Sequence, residues 1–264
     1  MNDPTAIQHD LLMCVQMGNI DAVRMFIIDE GANINHVWGG GSSEIAPGAT
    51  ALGLAISSMR MNTNPSVNMV NELLALGADA SADVNILFDA IRVVGHGLVN
   101  PDLVAALVAA GADVQANGGY LSETPLHAVL CIRNPKKAVA VANILITAGT
   151  PLDEKTHLHG QRPLDYALHV VQSPDPRVAA TLATRNRALA KCLLRGGAST
   201  TGLADDLEES PAKTSVDLVI KAGGWKEFAL WHKRILVGLV TKCKPMPDDA
   251  AGLVVDFYCP SGGS

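Results

Sequence analysis

The chain has 264 residues, a formal net charge of −6 and a composition that is 48% hydrophobic but only 4% aromatic. The core is therefore expected to consist mainly of Ala, Leu, Val and Ile, which suits closely packed helices. The scarcity of clustered Lys and Arg argues against a nucleic-acid partner, whereas a basic protein surface is compatible with the charge. The five cysteines are scattered and odd in number, so no disulfide framework is expected.

The start of the chain has neither a basic region nor a long apolar stretch, and the apolar run around 235–240 is too short to span a membrane. The expected location is cytoplasmic, or outside the cell by export without a secretory signal peptide. No membrane association is expected.

One short phrase recurs along the chain, each time after an apolar run of helical type. Its five copies are "DEGANI" at 29–34, "ALGADA" at 75–80, "AAGADV" at 109–114, "TAGTPL" at 147–152 and "RGGAST" at 195–200. The glycine in each copy suits the position just after a helix, where φ is positive. The glycines are 46, 34, 38 and 48 residues apart, which fits a repeat of about 33 residues with insertions.

A second phrase precedes each apolar run. Its copies are "TALGLAI" at 50–56, "NILFDAI" at 85–91, "TPLHAVL" at 124–130 and "RPLDYAL" at 162–168, with weaker copies at 11–15 and 214–220. The phrase "TPLHA" at 124–128 resembles the ankyrin-repeat signature, and this resemblance implies that Thr124 caps a helix, Pro125 lies in its first turn and Leu126 points into the core. These two phrases, recurring in register, resemble those of the ankyrin-repeat family over roughly residues 4–240.

The resemblance implies an all-α solenoid of about six helix-turn-helix repeats with short hairpin fingers, followed by a non-repeat tail. The fingers are the connections between one repeat and the next. The expected ankyrin-repeat domain is 1–240 and the tail is 241–264; the repeats lie at about 4–35, 48–80, 84–114, 122–152, 161–200 and 213–240. Trp225 and Trp231 suit a C-terminal cap, because a terminal repeat has only one neighbour.

The turn inside several repeats is marked by proline, as in "MNTNPSVN" at 61–68, "LVNPDLV" at 98–104, "IRNPKKAV" at 132–139 and "QSPDPRVAA" at 172–180. An Asn or Ser before Pro predicts that the second helix begins there with a capping residue. The fifth repeat has room for an extended helix, "RVAATLATRNRALAKCLL", on which Arg185, Asn186 and Arg187 are predicted to face solvent.

The first finger is the longest and contains Trp38 beside Gly39, Gly40 and Gly41. Glycine-rich backbone is too flexible to provide fixed packing neighbours in a core, so the indole is predicted to project from the finger and anchor a partner. The alternative is that Trp38 folds back near Ile45. The predicted partner-binding residues are the following: His36, Trp38, Asp79, Asp113, Tyr120, His157 and His159.

The sequence offers little to suggest catalysis or a cofactor. His157 and His159 alternate in "HLH", but two ligands fall short of a zinc set, so no metal is predicted. His127 belongs to the "TPLH" phrase, where the family resemblance implies a structural hydrogen bond. An alternative reading places an enzyme site around His232, Cys243 and Cys259, although no catalytic motif accompanies them.

A protein-binding module is the expected function, acting through a concave face and the finger loops, as an inhibitor or immunity protein or as a scaffold. A host-directed effector that anchors a cellular protein is the other binding alternative, because fold does not fix function. We expect a monomer with no cofactor and no small-molecule substrate. The acidic run "ADDLEES" at 204–210 is read as a solvated connection or as a contact for a basic partner.

Overall fold

A computed structural model describes residues 4–40, 45–60, 67–92, 99–118, 123–157, 160–168 and 175–201, together with Leu230. These ranges are predominantly helical and contain no β-strand, only a single bridge between Gly118 and Glu123. The described part of the chain is therefore all-α, as the composition predicts. The sixth predicted repeat, apart from Leu230, and the tail lie outside the described residues.

The helices of the described ranges fall into five consecutive pairs, one in each of the first five predicted repeats. The pairs are α1 (Pro4–Met17) with α2 (Ile20–Ile28), α3 (Ala51–Arg60) with α4 (Val67–Ala75), α5 (Ile86–Arg92) with α6 (Pro101–Ala109), α7 (Pro125–Ala128) with α8 (Pro135–Thr147), and α9 (Pro163–Leu168) with α10 (Pro176–Gly196). A 3-10 turn, Val129–Cys131, extends α7.

The first helices of the pairs contact one another in chain order, from α1 to α3, α5, α7 and α9. The second helices do the same from α4 through α6 and α8 to α10. The two helices of each pair also contact each other, so the pairs stack into two helical layers with the aliphatic core between them. Leu126, predicted to be a core residue, is 2% exposed.

Four of the five second helices end in the same hydrogen-bonded motif. In α6, Gly111 has φ +90°, its N–H donates to the Val108 carbonyl, and the Ala112 N–H donates to the Leu107 carbonyl. This pair of bonds satisfies carbonyls that the helix leaves without partners. Glycines 77, 149 and 197 repeat it, and Gly31 also has a positive φ. The prediction that glycine follows the end of the helix in this conformation is confirmed for glycines 77, 111, 149 and 197.

Side-chain caps set the starts of the second helices. Asn100 and Asn134 each precede a proline and accept a hydrogen bond from the backbone of the first turn, as predicted. In α10 the cap is Asp175, which precedes Pro176, and not the Ser173 that the pattern suggested. The Asn64–Pro65 cap of the second repeat lies outside the described residues.

The prediction for α10 was wrong for two of three residues. Arg187 is exposed, but Arg185 is only 6% exposed and Asn186 5%. The Arg185 guanidinium donates from Nε and Nη2 to Asn186 Oδ1, at 3.0 and 2.7 Å, and Nη1 lies 3.5 Å from the Ile132 carbonyl oxygen. A polar pair buried on a long helix is stable here because its polar atoms bond to each other and to the neighbouring repeat.

Candidate partner-binding surface

The connections between successive helix pairs form the candidate surface, and we number them one to four along residues 29–50, 76–85, 110–124 and 148–162. Each of the first three contains a side chain that caps its own backbone two residues ahead. Asn33 Oδ1 accepts from the Asn35 N–H at 3.0 Å. Asp79 and Asp113 likewise accept from Ser81 and Gln115, both at 2.8 Å. These bonds fix the turns from which the exposed side chains project.

Hydrogen bonds also join neighbouring connections. Asn35 Nδ2 donates to the Gly77 carbonyl at 3.1 Å, and Asn35 Oδ1 accepts from the Asp79 N–H at 2.8 Å. At the other end of the stack, Asp153 accepts from the Ser199 N–H at 2.9 Å. These bonds hold the first connection beside the second, and the fourth connection beside the backbone after α10.

The predicted residues Asp79 and Asp113 are exposed and occupy equivalent positions on this surface. The Ser81 side chain and backbone donate to the Asp79 carboxylate, which lowers its pKa below the usual value. Asp79 therefore remains ionised at neutral pH. The carboxylates of Asp79 and Asp113 each accept a backbone hydrogen bond that stabilises the turn, and each also presents a negative charge to solvent.

The connections are acidic along their length. Exposed acidic side chains lie in connections one to four at the following positions: Asp29, Glu30, Asp79, Asp113, Asp153 and Glu154. The sequence of the four connections contains only two bases, Lys155 and Arg162. Arg162 is buried and paired with Asp165, with Nη2 and Oδ1 2.9 Å apart. The surface therefore presents negative charge with Lys155 as its single exposed base among the described residues.

Arg162 is a structural residue that the sequence reading did not single out. Its Nη1 donates to the Ser199 and Thr201 carbonyls at 3.2 and 2.9 Å, which ties the fourth connection to the backbone after α10. The Arg162 side chain and backbone donate to the Asp165 carboxylate and lower its pKa, although burial of this carboxyl acts in the opposite direction. The Arg162–Asp165 spacing of three residues at a helix start was the available signal.

The prediction that Trp38 projects into solvent was wrong, since its side chain is 5% exposed. Its backbone N–H donates to the Ala49 carbonyl at 2.9 Å and its carbonyl accepts from the Gly48 N–H at 2.7 Å. These bonds close the first connection on itself and direct the indole inward, where its ring lies 5.6 Å from that of His9 in α1. Ile45 is buried in the same core, as the fold-back alternative requires.

Gly39 and Gly40 follow Trp38 in the first connection. Gly40 has φ +97°, and a Cβ built on it would lie 3.2 Å from Pro47 Cγ. Gly39 is exposed, with nothing within 4 Å of its Cβ position. Gly40 therefore supplies the positive φ beside Pro47, and the indole packs against His9 of α1.

The predicted histidines divide between the surface and residues outside the described ranges. His36 is half-buried in the first connection and His157 is exposed in the fourth. Tyr120 and His159 lie outside the described residues. Within the ranges described, no group of three or more His, Cys, Asp or Glu side chains is arranged to hold a metal ion.

His127 is buried in the capping box that begins α7. Its Nδ1 lies 2.9 Å from Thr124 Oγ1, and Nε2 lies 3.1 Å from the Gln161 carbonyl oxygen in the fourth connection. Burial is the main influence on its pKa, which is lowered below the usual value. The side chain thus joins the start of α7 to the next connection, which accords with the structural role that the "TPLH" phrase implies.

Cys192, on the buried side of α10, has a thiol that donates to Asn143 Oδ1 at 2.9 Å. Burial raises its pKa to about 11, so the nucleophilic thiolate is scarcely populated near neutral pH. Cys192 is therefore interpreted as a buried structural residue and not as a nucleophile. His232, Cys243 and Cys259 of the enzyme alternative lie outside the described residues.

No family model matches the chain, and no curated protein matches it significantly. Among the described helices, none is both long and apolar enough to cross a lipid bilayer.

Proposed function

We propose that the chain is an ankyrin-type solenoid whose function is to bind another protein through its connections and first helices. The observation that carries this proposal is the presence of exposed acidic side chains in all four connections, the first two of which are joined by the hydrogen bonds of Asn35. A surface built from several repeats at once can contact a partner over a long path without a deep cleft. The recurring glycine motif and the helix pairing support the assignment to repeats.

The partner that best fits this surface is a protein with a basic face. Exposed carboxylates occur in all four connections, and their negative potential would speed the encounter with a basic partner and disfavour acidic ones. Inhibition of that partner, or its attachment to a scaffold, would both follow from the same contact.

The test removes charge while leaving each turn intact. Asn can replace Asp as the acceptor in a turn, so Asp79→Asn, Asp113→Asn and Asp153→Asn together remove one negative charge from each of three connections and keep a backbone hydrogen bond at each. Asp21→Asn with Asp102→Asn is the control, because both residues are exposed on second helices, and the double variant Asp79→Asn with Asp113→Asn matches its change in charge. Wild-type and variant full-length chains are compared as bait in the native extract, with quantitative mass spectrometry of the captured proteins.

A partner bound through the connections is expected with the wild type and the control, and should be depleted about tenfold or more with the triple variant. Its affinity, measured with the purified partner, should fall as salt is added. If every specifically captured protein is retained equally by the triple variant, the acidic connections are not the binding surface.

A further inference from the structure

The outward face of α10 carries positive charge only. Helical periodicity places the following residues on this face: Arg177, Ala180, Thr181, Thr184, Arg187, Ala188, Lys191 and Arg195. All are exposed except Ala188, which is partly buried, and α10 contains no Asp or Glu. The charge of this face is therefore opposite to that of the connections.

A cation elsewhere in the layer of second helices has an acidic partner. Arg24 in α2 makes two hydrogen bonds to Glu72 in α4, with Nε and Nη2 2.6 and 2.7 Å from the carboxylate oxygens. The helix beside α10 cannot supply such a partner, because α8 contains lysines but no acidic residue. Arg187 and Lys191 consequently make no ion pair with any described residue.

The spacing of these cations matches that of a second helix. Residues 187, 191 and 195 follow one another at four-residue intervals, so each step rises about 6 Å along α10 on nearly the same side. Carboxylates placed every four residues on a partner helix have the same rise, and pairs of this kind join the helices of coiled coils. The whole face, from 177 to 195, extends about 27 Å.

Small side chains lie between the cations and would let a partner helix approach. Ala180, Thr184 and Ala188 leave room for an interaxial distance of about 8–10 Å, at which long Arg and Lys side chains can reach carboxylates on either flank. The Thr184 hydroxyl already donates to the Ala180 carbonyl at 2.9 Å, so its donor would not be left without a bond at such an interface.

We propose that α10 is a second interface, which binds an acidic amphipathic helix of a partner protein. The site is separate from the acidic connections and requires a partner of the opposite charge, so it goes beyond the proposed function. A helix with widely spaced carboxylates fits better than a nucleic acid, because the four cations of this face are separated by small side chains and a phosphate backbone presents a much denser charge.

The probe is a fluorescein-labelled, alanine-based peptide of about 21 residues with glutamate at every fourth position, matching the length of α10. A control peptide of the same composition has its glutamates five residues apart, which spreads them around the helix. Binding to the full chain is measured by fluorescence anisotropy at low and high salt. The regularly spaced peptide should bind about tenfold more tightly than the control, and salt should weaken it.

Charge reversal identifies the site. Arg187→Glu with Lys191→Glu should weaken binding of the patterned peptide about tenfold or more, whereas Lys155→Glu should change it less than about twofold. Comparison of Lys191→Glu alone with Lys155→Glu equalises the change in net charge. Circular dichroism checks that each variant is folded, and Arg187→Gln with Lys191→Gln replaces the reversal if the helix is lost.

Three outcomes would overturn the proposal. The first is equal binding of the two peptides or equal loss with Lys155→Glu, which would indicate diffuse electrostatic attraction. The second is tighter binding of a roughly 20-nucleotide oligothymidylate than of the patterned peptide. The third is binding that appears only after Asp205, Asp206, Glu208 and Glu209 are neutralised, because the acidic run 204–210 would then be the occupant.

Discussion

Replacing Trp38 with alanine tests how the first connection is held to the helices. The indole is 5% exposed and lies against His9, and backbone hydrogen bonds to Ala49 and Gly48 fix its direction. Trp38→Ala would leave a cavity between the connection and the core. The hypothesis that Trp38 anchors a partner requires the opposite, a side chain whose removal leaves the fold unchanged.

The size of the effect follows from two opposing contributions. Truncation of a buried aromatic side chain to alanine costs about 3–5 kcal/mol. The Trp38 Nε1 atom is buried without a described hydrogen-bond partner, so its removal relieves part of a desolvation cost of about 1–3 kcal/mol. We therefore expect Trp38→Ala to lower the free energy of unfolding by about 2–4 kcal/mol, and Tm by several degrees.

The measurement is urea denaturation of the full chain, followed by far-UV circular dichroism. Trp38→Phe is one control, because it retains an aromatic ring and removes the N–H, and it should cost less than Trp38→Ala. Val37→Ala is the other, since Val37 is adjacent and 54% exposed, so its cost should be below about 0.5 kcal/mol. A Trp38→Ala variant as stable as Val37→Ala would show that the indole does not stabilise the fold.

Two further predictions concern backbone strain and protonation. Gly111→Ala should lower the free energy of unfolding in urea by about 1–2 kcal/mol, because φ is +90° although nothing lies within 4 Å of the new Cβ. Gly39→Ala is the control, since its new Cβ is equally unobstructed and its φ is not positive, and it should cost nothing. Equal losses of stability in the two variants would refute the strain argument. Burial lowers the pKa of His127 in the folded chain. As pH falls through about 6.5, this imidazole takes up a proton in the unfolded chain but stays neutral in the folded chain, so the folded state loses stability. Urea midpoints between about pH 7.5 and 5 should fall further for wild type than for His127→Asn, and parallel curves would contradict this.

The sequence was sufficient for features that depend on neighbours a few residues away. Each helix-ending glycine, such as Gly111, bonds to carbonyls within five residues, and the Asn100 and Asn134 caps act within their own first turns. Such interactions are the same wherever the segment lies in the fold, so residue type and spacing predict them. The five helix pairs could be anticipated for the same reason.

Burial of single side chains was decided by the tertiary structure. Trp38 is covered by α1, a separate element, and Arg185 is buried because Asn186 and the Ile132 carbonyl satisfy its donors. The flexible glycines beside Trp38 and the polar residues beside Arg185 had led to the prediction that both side chains are exposed. Which surface meets a side chain depends on how the pairs stack, and local sequence contains no direct record of that contact.

The candidate surface has some features that follow from the sequence and others that depend on the tertiary structure. The acidic residues of the connections, and their turn-forming spacing, can be read from the sequence at Asp79 and Asp113. Only the stacking of the helix pairs brings Asn35 against Gly77 and Asp153 against Ser199, segments that are more than 40 residues apart in the chain. Charge is a property of composition, but its arrangement over a surface depends on tertiary packing.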